Sequence, residues 1–170
     1  NHEELAKLLV MENGKILAEA KRDVLGGANV FRYYSTLAHE LDDRIIDNEQ
    51  GRLILARQPI GVVSIIVPWN SPVYLASLML APALLAGNTV VIKPSTFSPL
   101  TVGKVLNDSA RMLPDGVINV VLGSGSVVGD AMVKHPKVRK ITFTGSTDVG
   151  ISVLRNAADT IKKVSMELGG

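Results

Sequence analysis

Four stretches of the sequence place polar, ligand-gripping side chains directly after apolar runs. In "GVVSIIVPWN" the run ends at Trp69-Asn70. An asparagine carboxamide offers two N–H donors, and at a reactive mouth it can stabilise a developing oxyanion. Asn70 equally suits a helix N-cap ahead of Ser71-Pro72, and Trp69 suits plain packing. In "TVVIKPST" the run ends at Lys93, which Pro94 biases towards extended geometry. Its ammonium can meet ribose hydroxyls or a phosphate, or it can lie along the surface as a snorkelling lysine. "ITFTGSTDVG" carries Gly145 and Ser146 where a strand would feed a helix. Free backbone N–H groups and the dipole end there suit a diphosphate. The spacing is G-x-x-x-x-G rather than the dinucleotide fingerprint G-x-G-x-x-G, and Ser146 also reads as an N-cap. In "KKVSMELGG", Glu167 closes an otherwise apolar strand. A carboxylate in a dry crevice has a raised pKa and can act as a general base; an ordinary exposed strand-end acid is the alternative. His135, before Pro136, reads as a helix-end cation without a catalytic role.

These residues need a scaffold, and the composition supplies one. The chain has 170 residues, 46% hydrophobic and 20% charged, enough for one domain with a substantial core. Formal net charge is +2, and the basic cluster "HPKVRK" has no aromatic interleaving, so a nucleic-acid partner is not expected. No cysteine is present, and three scattered histidines do not form a metal cluster; no metal site is expected. The apolar run 72–92 is interrupted by Pro82, Gly87 and Asn88, which argues against a membrane span. No signal peptide is visible, and a cytoplasmic location is expected. The first residue is Asn1 and the last are "ELGG", which reads as an excerpt of a longer chain.

The periodicity predicts helices over roughly 1–47, with Gly14 as a C-cap and Gly26-Gly27 interrupting or bending the second helix. Residues 52–61 read as extended, with Pro59 at an edge or bend. From there strands at 61–67, 89–93, 117–123, 139–145 and 162–168 alternate with helices at 72–87, 98–113, 126–135 and 146–158. Pro82 should kink the first of these helices or start a new turn. Nearly continuous apolar strands separated by helices imply an α/β fold: a Rossmann-like five-stranded parallel sheet with helices on both faces, preceded by a helical N-terminal segment. Ligands then sit beyond the carboxyl ends of the strands. The expected division is 1–57, helical segment and extended connector, and 58–170, dinucleotide-binding domain.

In order along the chain, "MENGKILAEA", "QPIGVVSIIVPWNSP", "APALLAGNTVVIKPS", "LPDGVINVVLGSG", "ITFTGSTDVG" and "VSMELGG" resemble segments of the aldehyde dehydrogenase superfamily. One alone is weak; six in order over most of the chain are specific. The odd glycine spacing is then the family's own. The resemblance implies a cofactor, NAD or NADP, with Phe143, Gly145 and Ser146 at the diphosphate turn. It implies Lys93, with Ser95 and Thr96, near the adenosine ribose, and Ile66, Val67, Pro68 and Trp69 along the groove. Gly125 and Val149 fall on the adenine side, and Leu168 and Gly169 at the end of the last strand join the cofactor set. Asn70 matches the oxyanion donor, and Glu167 the general base that activates the hydrolytic water or the thiol.

The implied activity is NAD(P)-dependent oxidation of an aldehyde to a carboxylic acid through a thiohemiacetal and a thioester. The nucleophilic cysteine and its catalytic domain are expected beyond Gly170, so this chain alone should not be active. Members that prefer NAD often carry Glu where Thr96 stands here, and losing that carboxylate removes repulsion against a 2′-phosphate. NADP acceptance is therefore expected. The resemblance also implies a homodimer or homotetramer in the full-length protein. A CoA-acylating or acyl-phosphate-reducing relative is the nearest alternative, with Glu167 weighing against phosphate reduction. A non-catalytic nucleotide-binding homologue is the other.

Overall fold

The computed structural model describes residues 1–169. Helix α1 (His2–Asn13) buries Ala6 and Leu9 and ends at Gly14, whose φ of 77° is left-handed and whose N–H donates to the Val10 carbonyl. Helix α2 (Leu17–Ser35) runs through Gly26-Gly27 without a break, so the glycines do not interrupt it. The two glycines face helix α3 (Pro72–Leu85). A Cβ on Gly27 would lie 2.8 Å from Ser77 Oγ and 3.3 Å from the Val73 carbonyl oxygen. They let two helix backbones approach, and that packing offsets a helix-propensity penalty of about 1 kcal/mol per glycine.

The helical expectation for roughly 1–47 holds through α1 and α2 and fails beyond Ser35. After a 3₁₀ turn (Ala38–Leu41), β1 (Arg44–Asn48) pairs antiparallel with β2 (Gly51–Leu55). Asn48 opposes Gly51, leaving Glu49-Gln50 as a two-residue loop. Asn48 Oδ1 accepts from the Gln50 N–H at 2.9 Å, and Gly51 takes a φ of 132°. Tight turn chemistry flanked by β-branched residues outweighs a helical spacing that is only weakly met. Both strands are exposed throughout.

The main sheet is parallel and five-stranded, as expected. It comprises β3 (Val62–Ile66), β4 (Thr89–Lys93), β5 (Ile118–Val120), β6 (Val138–Gly145) and β7 (Lys163–Leu168), in the order β5-β4-β3-β6-β7. β5 is shorter than the expected 117–123, ending at Val120, and Gly123 beyond it takes a φ of 146°. The helix expected at 126–135 divides into a π-helical turn (Gly125–Gly129) and a short α5 (Asp130–Lys134). Pro82 stays inside α3 without ending it.

α3 and α4 (Pro99–Ala110) cover one face of the sheet, where Val63, Ile65, Val67, Val90 and Ile92 meet Leu80 and Leu106, and α2 packs on α3. α5 and α6 (Thr147–Ala158) cover the other, where Ile66, Ile141 and Phe143 meet Val133 and Val153. Each such side chain contributes about 1.5–3 kcal/mol by leaving water. β3 sits between β4 and β6, so the winding reverses at β3/β6 and opens a crevice beyond those strand ends. Among the described residues, no helix is long and apolar enough to cross a membrane.

Candidate active site

Parallel pairing puts every strand exit on one edge. Ile66 lies level with Lys93 on one side and Phe143 on the other, and Thr144 lies level with Glu167. The two faces of the sheet then sort the candidate residues into two groups.

On the α5/α6 face, Phe143 is buried directly beneath the turn into α6. A Cβ on Gly145 would meet Phe143 Cζ at 2.5 Å, and one on Gly150 would meet Leu168 Cδ2 at 2.6 Å. Neither glycine has a positive φ. Both are therefore fixed by packing: one lets the turn lie on an aromatic ring, the other lets α6 lie on β7. Ser146 is the N-cap of α6, its Oγ accepting from the Val149 N–H at 3.5 Å. That bond is at the outer limit of length, and it leaves the hydroxyl proton available for an anion. In the full-length protein, Gly145→Ala is expected to lower stability by about 1–3 kcal/mol. Phe143→Leu, by giving the new methyl room, should restore part of the loss in thermal unfolding. If the double variant unfolds no higher than Gly145→Ala alone, the packing account is wrong.

Lys93 is buried rather than reaching into open crevice. Its Nζ donates to the Pro94 carbonyl at 2.9 Å and the Gly123 carbonyl at 3.1 Å, leaving one N–H for a ligand. Burial lowers its pKa. Ser95 Oγ accepts from the Phe97 N–H, and Thr96 is exposed beside it. Gly125 opens the π-helical turn and Val149 lies in the first turn of α6; both are exposed. Ile66 faces this side, whereas the Val67 side chain is buried in the α3/α4 core. Only the Val67 backbone can face a ligand here, and its N–H already donates to the Lys93 carbonyl. Pro68 is half-buried beyond it. Leu168 packs on α6 at Gly150, and Gly169 is exposed.

Asn70 and Glu167 come together on the α3 side. Both line a trough of about 970 Å³ between α3 and the uncovered face of β6 and β7, whose walls also include Leu78 and Thr144. Asn70 also borders a second cleft of about 620 Å³, shared with Arg22, Asp23, Trp69 and Tyr74. The cap position of α3 falls on Ser71, so Asn70 is not the N-cap, and its carboxamide makes no hydrogen bond among the described residues. Glu167 is exposed; the dry enclosure expected around it is not built by residues 1–169. Trp69 is 54% exposed. No group of metal-ligating side chains exists among the described residues.

The sequence reading missed two acids that cap the helices beside this site. Glu12 accepts from the Leu100 and Thr101 N–H groups at 2.7 and 3.0 Å, at the start of α4. Asp23 accepts from the Tyr74 N–H at 2.7 Å, in the first turn of α3, and pairs with Lys15 Nζ at 3.2 Å. One signal for Asp23 was available: it falls on the buried stripe of α2 with Ala20, Val24, Gly27 and Val30. Burial raises its pKa, against the opposing pull of the Tyr74 amide and Lys15. A carboxyl whose folded pKa is raised binds more protons folded than unfolded. Its contribution to stability is therefore fully present below the ordinary carboxylate range and is lost as pH rises through the folded value. Asp23→Asn keeps an acceptor for Tyr74, so thermal unfolding followed upward from about pH 4 should lose this falling component. An unchanged pH profile would count against it.

The sequence profile described as the aldehyde dehydrogenase family matches residues 1–170. The chain belongs to the aldehyde dehydrogenase family. It is 44% identical over 171 residues to a mitochondrial succinate-semialdehyde dehydrogenase of Arabidopsis thaliana, covering 99% of this chain and 32% of that protein. It is 39% identical over 173 residues to the succinate-semialdehyde dehydrogenase [NADP(+)] of Escherichia coli, covering 100% of this chain and 36% of that one. A crystal structure of Staphylococcus aureus betaine aldehyde dehydrogenase in complex with NAD+ superposes with a TM-score of 0.94 at 38% identity, covering 99% of this chain and 34% of that chain. The chain thus spans about a third of the length of these aldehyde dehydrogenases.

Proposed function

We propose that this chain is the cofactor-holding portion of an NAD(P)-dependent enzyme that oxidises an aldehyde to a carboxylic acid. The observation that carries the reading is the meeting of Asn70 and Glu167 in one trough at the strand exits. The edge above α5 and α6 fits a dinucleotide. The Gly145 turn lies flat on Phe143, the first-turn amides of α6 stand beside a Ser146 hydroxyl with a proton to give, and Lys93 keeps one N–H uncommitted. Gly145 and Ser146 would hold the diphosphate, and Lys93 with Ser95 and Thr96 the adenosine ribose. Ile66, Pro68 and Trp69 would flank the path to the reactive end, and Gly125 and Val149 the adenine. The nicotinamide, when bound, accepts a hydride.

The chain's own residues then act around the carbonyl. Asn70 donates to the oxyanion formed when a cysteine thiolate, expected from the part of the protein after Gly170, adds to the aldehyde. Glu167 takes the proton of the water that cleaves the resulting thioester, or that of the thiol itself. Tyr74 and Leu78 wall the two clefts beside Asn70 and would touch the remainder of the aldehyde.

Relatives named for NADP and a neighbour crystallised with NAD+ support a cofactor of either kind. Thr96 is exposed and uncharged, so nothing at that position repels a 2′-phosphate. The reading is tested with the full-length protein, an aldehyde series, and each cofactor in turn. Reduction of both NAD and NADP is expected, with kcat/KM values within about a hundredfold of each other. A larger preference for NAD would sink the Thr96 argument; no aldehyde-dependent reduction of either would sink the function.

A further inference from the structure

The stretch "MENGK" has no part in the chemistry above, yet its side chains reach the link that carries Asn70. That link runs from the end of β3 to the first turn of α3. Its Trp69 carbonyl accepts from Asn13 Nδ2 at 3.1 Å and from Ser98 Oγ at 3.4 Å. Asn13 Oδ1 in turn accepts from the Lys15 N–H at 3.1 Å. These partners fix the orientation of the Asn13 amide, because an N–H can only donate and a carbonyl can only accept. At the far end of the link, Asp23 holds the Tyr74 N–H, and Lys15 holds Asp23. Asn70 is therefore flanked by two tie points, the carbonyl just before it and the amide four residues on. Packing does not replace them, since Trp69 is 54% exposed and Asn70 is exposed as well.

We propose that Asn13 is a positioning residue for the Asn70 carboxamide, with Asp23 fixing the other flank. The proposal rests on the reading of Asn70 as the oxyanion donor. A donor must stand within a few tenths of an ångström of where the charge develops, and a displacement of about 1 Å can cost a hundredfold in rate. An exposed loop residue meets that demand only if the backbone on both sides is held. Asn13 acts on one side through a single N–H.

The test is a double-mutant cycle in the full-length enzyme. Asn13→Asp keeps the acceptor for the Lys15 N–H and removes the donor to Trp69. It is expected to lower kcat roughly tenfold, leave the cofactor Kd within about twofold, and shift Tm by no more than about 2 °C. In an Asn70→Ala background the same substitution should cost nothing further. Asn13→Ser, which keeps a short donor without its reach, provides a second cycle if Asn13→Asp does not fold. A tenfold loss that persists in the Asn70→Ala background overturns the positioning role and leaves the oxyanion reading standing. So does an Asn13→Asp enzyme with unchanged kcat. Full turnover by Asn70→Ala alone overturns the oxyanion reading, and the positioning role falls with it.

Discussion

Glu167→Gln in the full-length protein is expected to lower steady-state turnover by about 10²–10⁴-fold, the range that a positioned general base contributes. Glutamine keeps the size and hydrogen-bonding reach of the side chain but cannot take a proton. Glu167 ends β7 level with Thr144, on the uncovered side of the sheet and in the same trough as Asn70. The backbone there is held by the β6 ladder, so the substitution should not disturb the fold. Rapid-mixing absorbance of the reduced cofactor separates two versions of the role. If the acid serves the hydrolytic water, the first turnover stays fast and a burst equal to the enzyme concentration precedes the slow steady state. If it serves the thiol, the burst slows with it. Turnover within threefold of the parent would remove Glu167 from the chemistry in either version.

Asn70→Ala should lower kcat by about 10²–10³-fold, the loss seen when one oxyanion donor is removed from a preorganised site. The carboxamide is free of other hydrogen bonds among the described residues and is not the cap of α3, so removing it strips no structural bond. The substitution should therefore leave Tm and the cofactor Kd close to those of the parent, with the loss confined to the chemical step. A rise in KM at constant kcat would mean that Asn70 binds ground state and transition state alike and adds nothing specific to the chemical step.

The sheet was legible because its central strands β3 and β4 are runs of β-branched residues largely buried on both faces, and shorter apolar runs recur between helical stretches after them. The exits were legible for the same reason, since parallel strands end on one edge. The hairpin was not. Leu37, Leu41 and Ile45 continue a helical spacing, and the turn at Asn48 to Gly51 lacks the usual Asn-Gly or Asp-Gly pair. Within the candidate site, direction was not fully used. Ile66 and Val67 must point to opposite faces by the period of a strand, so their side chains could not both line one groove. The Gly123 carbonyl that helps hold Lys93 lay beyond reach, because Gly123 comes near only after β5 pairs with β4. Glu12 and Asp23 meet partners 88 and 51 residues away, and no local pattern announces such pairings.

Those two acids bear on how the molecule could be dissected. The serines that precede α3 and α4 make no capping bond with their side chains; the amides are met instead from α1 and α2. A protein trimmed to begin at Gln58 would look whole on a topology diagram, with every strand of the main sheet and every crossover in place. It would nonetheless begin two of its helices with bare amides and leave the outer sides of α3 and α4 wet. The leading helices are a splint set in place from outside, and shortening or circularly permuting this protein should respect the join.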